Sequence, residues 1–155
     1  SLGRHGSLIW ARAGFSLVEL LVLLVVIGAL LSFSLPAFMS YYKSAHVRAA
    51  ASGIAAQLNQ GRQLAIQQNQ RVCVHIASTA LHYAQGSCAG TVWVGPGTDA
   101  TGSIPAPGGI TLTTTADPVF SNLGAAVPAA TVTITHGSAS LSVIVSASGR
   151  VIVGR

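Results

Sequence analysis

"GFSLVELLVLLVVIGALL", residues 14–31, is the stretch from which the rest of the chain is read. It is an apolar run broken by one acid, Glu19, in a chain of 155 residues with only three Asp or Glu in all. Extended to Leu35, the run from Phe15 spans about 31 Å as a helix at 1.5 Å per residue, the thickness of one bilayer core. An ionised carboxylate at mid-bilayer costs about 2.5–3.5 kcal/mol on insertion scales and less near the interface. The position of Glu19 therefore requires a reason.

On the N-terminal side, Ser1–Gly14 carries Arg4 and Arg12 and no acid, the pattern of a targeting leader. An ordinary secretory signal is cut after its apolar run, yet "LSFSLPAFMSYY" offers no A-x-A there. A cut before the run, between Gly14 and Phe15, would leave the apolar helix on the mature protein. It would also create an α-amino group four residues before Glu19, largely cationic at neutral pH because such groups have a pKa near 8. A buried ion pair with that amine would contribute mainly registry, since desolvation offsets much of its attraction. An interfacial Glu19 that merely snorkels is the plainer reading of the acid taken alone.

On the C-terminal side, Pro36 removes a backbone donor, so a kink or local unwinding is expected near Gly28–Pro36. Helical spacing then resumes: Val47, Ala51, Ile54, Leu58, Gly61 and Ala65 form one face, while Ser52, Asn59, Gln60, Gln63 and Gln67 lie opposite. The small residues of the stripe let a sheet approach the helix axis closely. Four segments follow: a leader (1–14), an apolar helix (15–40), its amphipathic continuation (41–69) and a β-rich domain (70–155).

After Asn69 the period becomes that of strands. The expected strands are Arg71–Ala77, Leu81–Ala84, Thr91–Val94, Ile110–Thr115, Val119–Ser121, Thr131–Thr135, Leu141–Ala147 and Arg150–Val153. Ser148-Gly149 reads as a two-residue hairpin. Gly95–Gly109, "GPGTDATGSIPAPGG", reads as a long loop that is mobile or covered by a partner. The fold class is α+β: a long N-terminal helix whose second half packs on an antiparallel sheet or sandwich.

Charge and motifs exclude several functions. The net charge is +5 without any cluster of four basic residues, which suits a mildly basic exported domain better than a nucleic-acid patch. Outside the cytoplasm, Cys73 and Cys88 are expected to form a disulfide. Closing a loop of about 15 residues contributes roughly 3 kcal/mol in the chain-entropy model. A zinc site joining them to His75 and His82 is the alternative, but Cys-x-His is not a finger spacing. "GSCAG" (86–90) has no central Ser for a nucleophile elbow, Asp99 and Asp117 lack paired carboxylates, and the histidines form no H-E-x-x-H. No phosphate loop is present, and nothing calls for a catalytic role, a cofactor or a metal.

The segment "AGFSLVELLVLLVVIGALLSFSLPAF" resembles the N-terminus of type IV pilins and pseudopilins, whose signature Gly14, Phe15, Glu19 and Pro36 match. "LNQGRQLAIQQNQRVCVHI" and "PVFSNLGAAVPAATVTIT…LSVIVSASGRVIVG" resemble the GspH/FimT/FimU group. The resemblance implies cleavage after Gly14 by a prepilin peptidase, N-methylation of Phe15, and a Glu19 ion pair with a neighbouring subunit. It further implies storage in the bacterial inner membrane with the β domain periplasmic. Assembly with other major and minor pilins or pseudopilins would follow, with this chain a minor subunit near the filament tip. Three roles share these residues: pilus tip subunit, type II secretion pseudopilin and DNA-binding competence pilin. The last resembles members with a C-terminal Gly-Arg-x-Arg hairpin. Here Gly149-Arg150 matches, but Ile152 stands at the second arginine position and Arg155 has opposite strand parity. Two arginines make a thin phosphate site, because each contact changes the salt slope by only about one unit.

Overall fold

The computed structural model describes residues 15–154, except the side chains of residues 33–37. The expected leader, Gly14 at its cut site and Arg155 lie outside the described residues. Among the described residues, helix α1 covers Leu17–Gln67 and is followed by nine strands. The described residues divide into two compact units, one ending at Met39 and the other beginning at Ser40, with α1 contributing to each.

Within the first unit, α1 stays helical through Gly28–Pro36, so the expected local unwinding is not seen. Ser32 Oγ donates back to Gly28 O at 2.9 Å, a local bond that slightly bends helices without breaking them. The backbone is thus helical on both sides of Pro36 despite the donor that proline lacks.

The second unit holds the core. All six residues of the expected stripe, Val47, Ala51, Ile54, Leu58, Gly61 and Ala65, are buried, and Ser52, Asn59, Gln63 and Gln67 are exposed. Gly61 has a specific reason to be glycine. A Cβ there would lie 2.6 Å from Val74 Cγ2 and 3.2 Å from the Tyr83 ring, so the small residue sets how closely helix and sheet approach. Tyr83 itself is buried and donates its hydroxyl to Gln57 O at 2.8 Å, tying the sheet to α1. Burial pushes the Tyr83 pKa well above its ordinary value, keeping the phenol protonated and able to donate.

α1 ends where its termination chemistry appears. Asn69 adopts φ 50°, its N–H bonds Ile66 O at 3.2 Å, and Gln70 N–H bonds Ala65 O at 3.1 Å. This is a Schellman closure with asparagine in the left-handed position usually taken by glycine.

Two antiparallel sheets complete the domain. One contains β1 (Val72–Ile76), β2 (Ala80–Gln85), β3 (Thr91–Val92), β4 (Ser103–Pro105) and β6 (Val119–Phe120). Its order is β3-β2-β1-β6, with β4 also paired to β2. The other contains β5 (Thr111–Thr114), β7 (Ala130–His136), β8 (Ala139–Val145) and β9 (Val151–Val153), ordered β5-β7-β8-β9. Leu112 N–H to Ser78 O (2.8 Å) and Ala126 N–H to Ala147 O (3.0 Å) stitch the sheets together. Alternate residues of β1, β2, β7 and β8 join α1 in one hydrophobic cluster, including Val74, Tyr83, Val132, Ile134 and Val143.

Two expectations need correction. The Gly95–Gly109 segment is not a loop throughout: it contains β4, whose Ile104 pairs with Leu81. Its turn is organised by Asp99, which accepts hydrogen bonds from Thr101 N, Thr101 Oγ1 and Ser103 N at 2.7–2.8 Å. Those bonds, the Thr101 hydroxyl foremost, hold the Asp99 pKa below its ordinary value. The second correction concerns the last hairpin. Ser146 N–H bonds Arg150 O at 2.9 Å, so Ala147, Ser148 and Gly149 form a three-residue connection, with Gly149 at φ 77°. With a third residue only Gly149 has to be left-handed, whereas the two-residue turns that match strand twist would also need a positive φ at Ser148.

Candidate functional site

The residues that stand out as a site are the exposed apolar side chains at the start of α1. From Phe15 to Leu31, every large apolar side chain is exposed, from 47% at Leu23 to 80% at Leu17. A helix apolar on all sides is stable only when something else covers it, and soluble monomers rarely expose such a surface. Among the described residues, no helix is long and apolar enough to cross a membrane. The described side chains of this stretch stop at Ser32, and Leu17–Ser32 rises only about 24 Å against a core of roughly 30 Å. The bilayer span expected for Phe15–Leu35 therefore lies partly outside the described side chains.

Glu19 sits in the first turn of α1. Ser16 precedes the helix, and its carbonyl accepts the first intrahelical bond, from Leu20 N–H at 3.1 Å. That makes Ser16 the N-cap and Glu19 the third helical residue, the S-x-x-E spacing of a capping box. A carboxylate there also complements the helix dipole. The acid thus has a local reason for its place, and the spacing alone could have revealed it. Among the described residues Glu19 has no ion-pair partner, so its charge is available to a group from elsewhere.

Cys73 and Cys88 are joined, with Cα atoms 5.0 Å apart, pinning β1 to the turn between β2 and β3. With both sulfurs in a disulfide, the alternative zinc site loses its thiolates. His75 and His82 still meet, as directly opposed residues of β1 and β2 with ring centroids 4.7 Å apart. Sequence spacing did not suggest the third member: His75 Nδ1 pairs with Asp117 Oδ2 at 2.6 Å, while Asp117 Oδ1 accepts from Ile76 N–H at 3.0 Å. Asp117 is thus a strand-edge brace between segments 41 residues apart. Burial, and then the neighbouring His75, lower the His82 pKa against a smaller opposing effect from Asp117.

Arg150 is exposed at the final hairpin, and its main chain is held by Ser146 Oγ, which accepts from Arg150 N–H at 3.2 Å. The position two residues on, Ile152, forms an exposed cross-strand pair with Ile144. The face that would carry a second guanidinium is therefore apolar. On the inner side of this hairpin, Arg62 lies under the turn. A Cβ at Gly149 would sit 3.3 Å from Arg62 Nε, and one at Gly124 would sit 2.8 Å from it. Arg62 Nε is buried without a hydrogen-bond partner.

Known proteins match this arrangement in fold and in sequence pattern. The minor pilin FimU of Pseudomonas aeruginosa superimposes with a TM-score of 0.55 at 16% identity, covering 70% of this chain and 92% of that one. The minor pseudopilin EpsH from the type 2 secretion system of Vibrio cholerae gives a TM-score of 0.55 at 15% identity, covering 70% and 95%. Among curated protein sequences, none matches significantly. The family model described as type II transport protein GspH matches residues 50–149, which include the helix stripe from Ala51 onward, strands β1 to β8 and the disulfide. With an α+β pilin-like fold and a sequence match over most of its length, the chain belongs to the family described as type II transport protein GspH.

Proposed function

We propose that this chain is a structural minor subunit of a pilin-type filament, inserted in the inner membrane and then withdrawn into the filament. Prepilin peptidase cuts between Gly14 and Phe15, and Phe15 is then N-methylated, which retains its positive charge. The apolar first half of α1 holds the protein in the bilayer with the β domain in the periplasm. In the filament the same surface packs against other pilins or pseudopilins, near the tip. Glu19 then meets the N-terminal amine of a neighbouring subunit, fixing axial registry more than adding net stability. The observation that carries the reading is the exposed apolar surface from Phe15 to Leu31 with a lone carboxylate in its first turn.

Replacement Glu19→Ala tests it. The variant is expected to insert and lose its leader normally but to be missing from sheared filaments. Wild-type recovery of the variant in the filament fraction would refute the assignment of Glu19. FimU is a type IV minor pilin and EpsH a type II secretion pseudopilin, so their names point to two host machines. A gene deletion scored for surface pili, protein secretion and DNA uptake side by side separates pilus, secretion and competence roles.

A further inference from the structure

A groove beside α1 carries chemistry that filament packing does not require. Its volume is about 630 Å³, and Asn59, Gln60, Gln63 and Gln67 face Trp93 and Pro96 across it. Among the described residues, no ionisable side chain lines it. Asn59, Gln63 and Gln67 succeed one another at four-residue intervals, so their amides stand about 6 Å apart along the helix.

Their hydrogen-bonding capacity is only partly used. Asn59 Nδ2 donates to Ala55 O at 3.0 Å and Gln60 Nε2 to Pro96 O at 3.3 Å, leaving each amide oxygen open. Gln63 and Gln67 make no side-chain hydrogen bond among the described residues, nor does the Trp93 indole N–H. The indole is nonetheless held in place. It packs edge-on to Tyr83 with centroids 5.9 Å apart, and its backbone N–H bonds Tyr83 O at 2.8 Å. It also lies against Gly95, where a Cβ would come within 2.3 Å of the ring.

A fixed aromatic side chain beside a row of amides with unused hydrogen-bonding capacity selects by chemistry. An ionised ligand would find no countercharge, and a purely apolar one would leave the amides unpaired. An extended peptide is usually captured by main-chain bonds at an open sheet edge, whereas one wall here is a helix whose backbone is already paired. Hydroxyl groups, each donor and acceptor, match carboxamides, and an indole face suits the C–H face of a sugar ring. We infer that this groove binds an uncharged oligosaccharide, with Trp93 stacking on a sugar ring and Gln63 and Gln67 hydrogen-bonding its hydroxyls.

Isothermal calorimetry on the full chain, in a detergent without a sugar headgroup, tests this. The probes are the neutral tetrasaccharides of glucose and of N-acetylglucosamine, a sulfated tetrasaccharide, and an uncharged peptide of similar length. Saturable heat at millimolar concentration is expected with at least one neutral sugar. Trp93→Ala should abolish it, and Gln63→Ala with Gln67→Ala should weaken it about tenfold. The double amide variant lies on an exposed helix face and favours the helix, so it remains informative if Trp93→Ala misfolds. No heat with either neutral sugar on folded protein would overturn the inference. So would equal affinity in the amide variant, or stronger binding of the peptide or the sulfated sugar.

Discussion

Gly61 and Gly53 lie on the same helix, yet alanine should act on them with opposite sign. Replacing a helical glycine by alanine gains about 0.8–1 kcal/mol of helix propensity. At Gly53 nothing lies within 4 Å of the new Cβ, so Gly53→Ala should keep that gain. At Gly61 the Cβ would stand 2.6 Å from Val74 Cγ2 and 3.2–3.3 Å from two Tyr83 ring carbons. Neither neighbour gives way easily. Val74 and Tyr83 are fully buried, valine is stiff at χ1, and the Tyr83 hydroxyl is anchored on Gln57 O. Overpacking of this kind costs about 1–3 kcal/mol, so Gly61→Ala should lose about 1 kcal/mol net despite its propensity gain. The two variants then differ by about 2 kcal/mol, which is several degrees in thermal midpoint for a domain of this size. Thermal unfolding followed by circular dichroism reads the difference directly. Adding Val74→Ala to Gly61→Ala removes the clashing methyl, so the double variant should be more stable than the sum of the singles. A Gly61→Ala protein stabilised as much as Gly53→Ala would refute the claim that this glycine sets the helix–sheet distance.

Two further outcomes follow from the β domain. Cys73→Ser with Cys88→Ser should cost roughly 3 kcal/mol by freeing a closed loop of about 15 residues, and a reductant should bring the wild type down to the same stability. Unchanged unfolding in reductant would contradict it. His82 should make the domain weaken on mild acidification. Because its folded pKa lies below the ordinary 6.5, the unfolded chain takes up the proton first. Stability then falls as pH drops from 6.5 toward the folded pKa, and above 6.5 His82 contributes nothing. His82→Gln should flatten that slope in denaturant titrations across this window, and an unaltered slope would show that another group sets it.

Local periodicity made most of the architecture legible before any coordinates. The buried stripe from Val47 to Ala65 is a 3.6-residue pattern, and β1, β2, β5, β7 and β8 alternate or run apolar between turn residues. Each of those signals arises from neighbours a few residues apart. The strand missed, β4, has only three residues, one of them Pro105, and its place is set by β2 some 20 positions earlier. Nothing in "GSIPAP" carries that information. The turn at Ala147–Gly149 was misjudged by one residue, because its length depends on the Val145–Val151 register.

For the site, the division is similar. The sequence by itself determined the apolar N-terminal helix, its carboxylate at Glu19 and the pairing of two cysteines, since composition and short spacing carry those facts. Tertiary structure alone decided that Asp117 braces His75, that Arg62 lies beneath the Gly124 and Gly149 turns, and that Trp93 faces a row of amides. These meetings join segments 26 to 87 positions apart in the chain. They depend on which strands pair and on how the sheets pack against α1, and both are decided by contacts between segments distant in the chain.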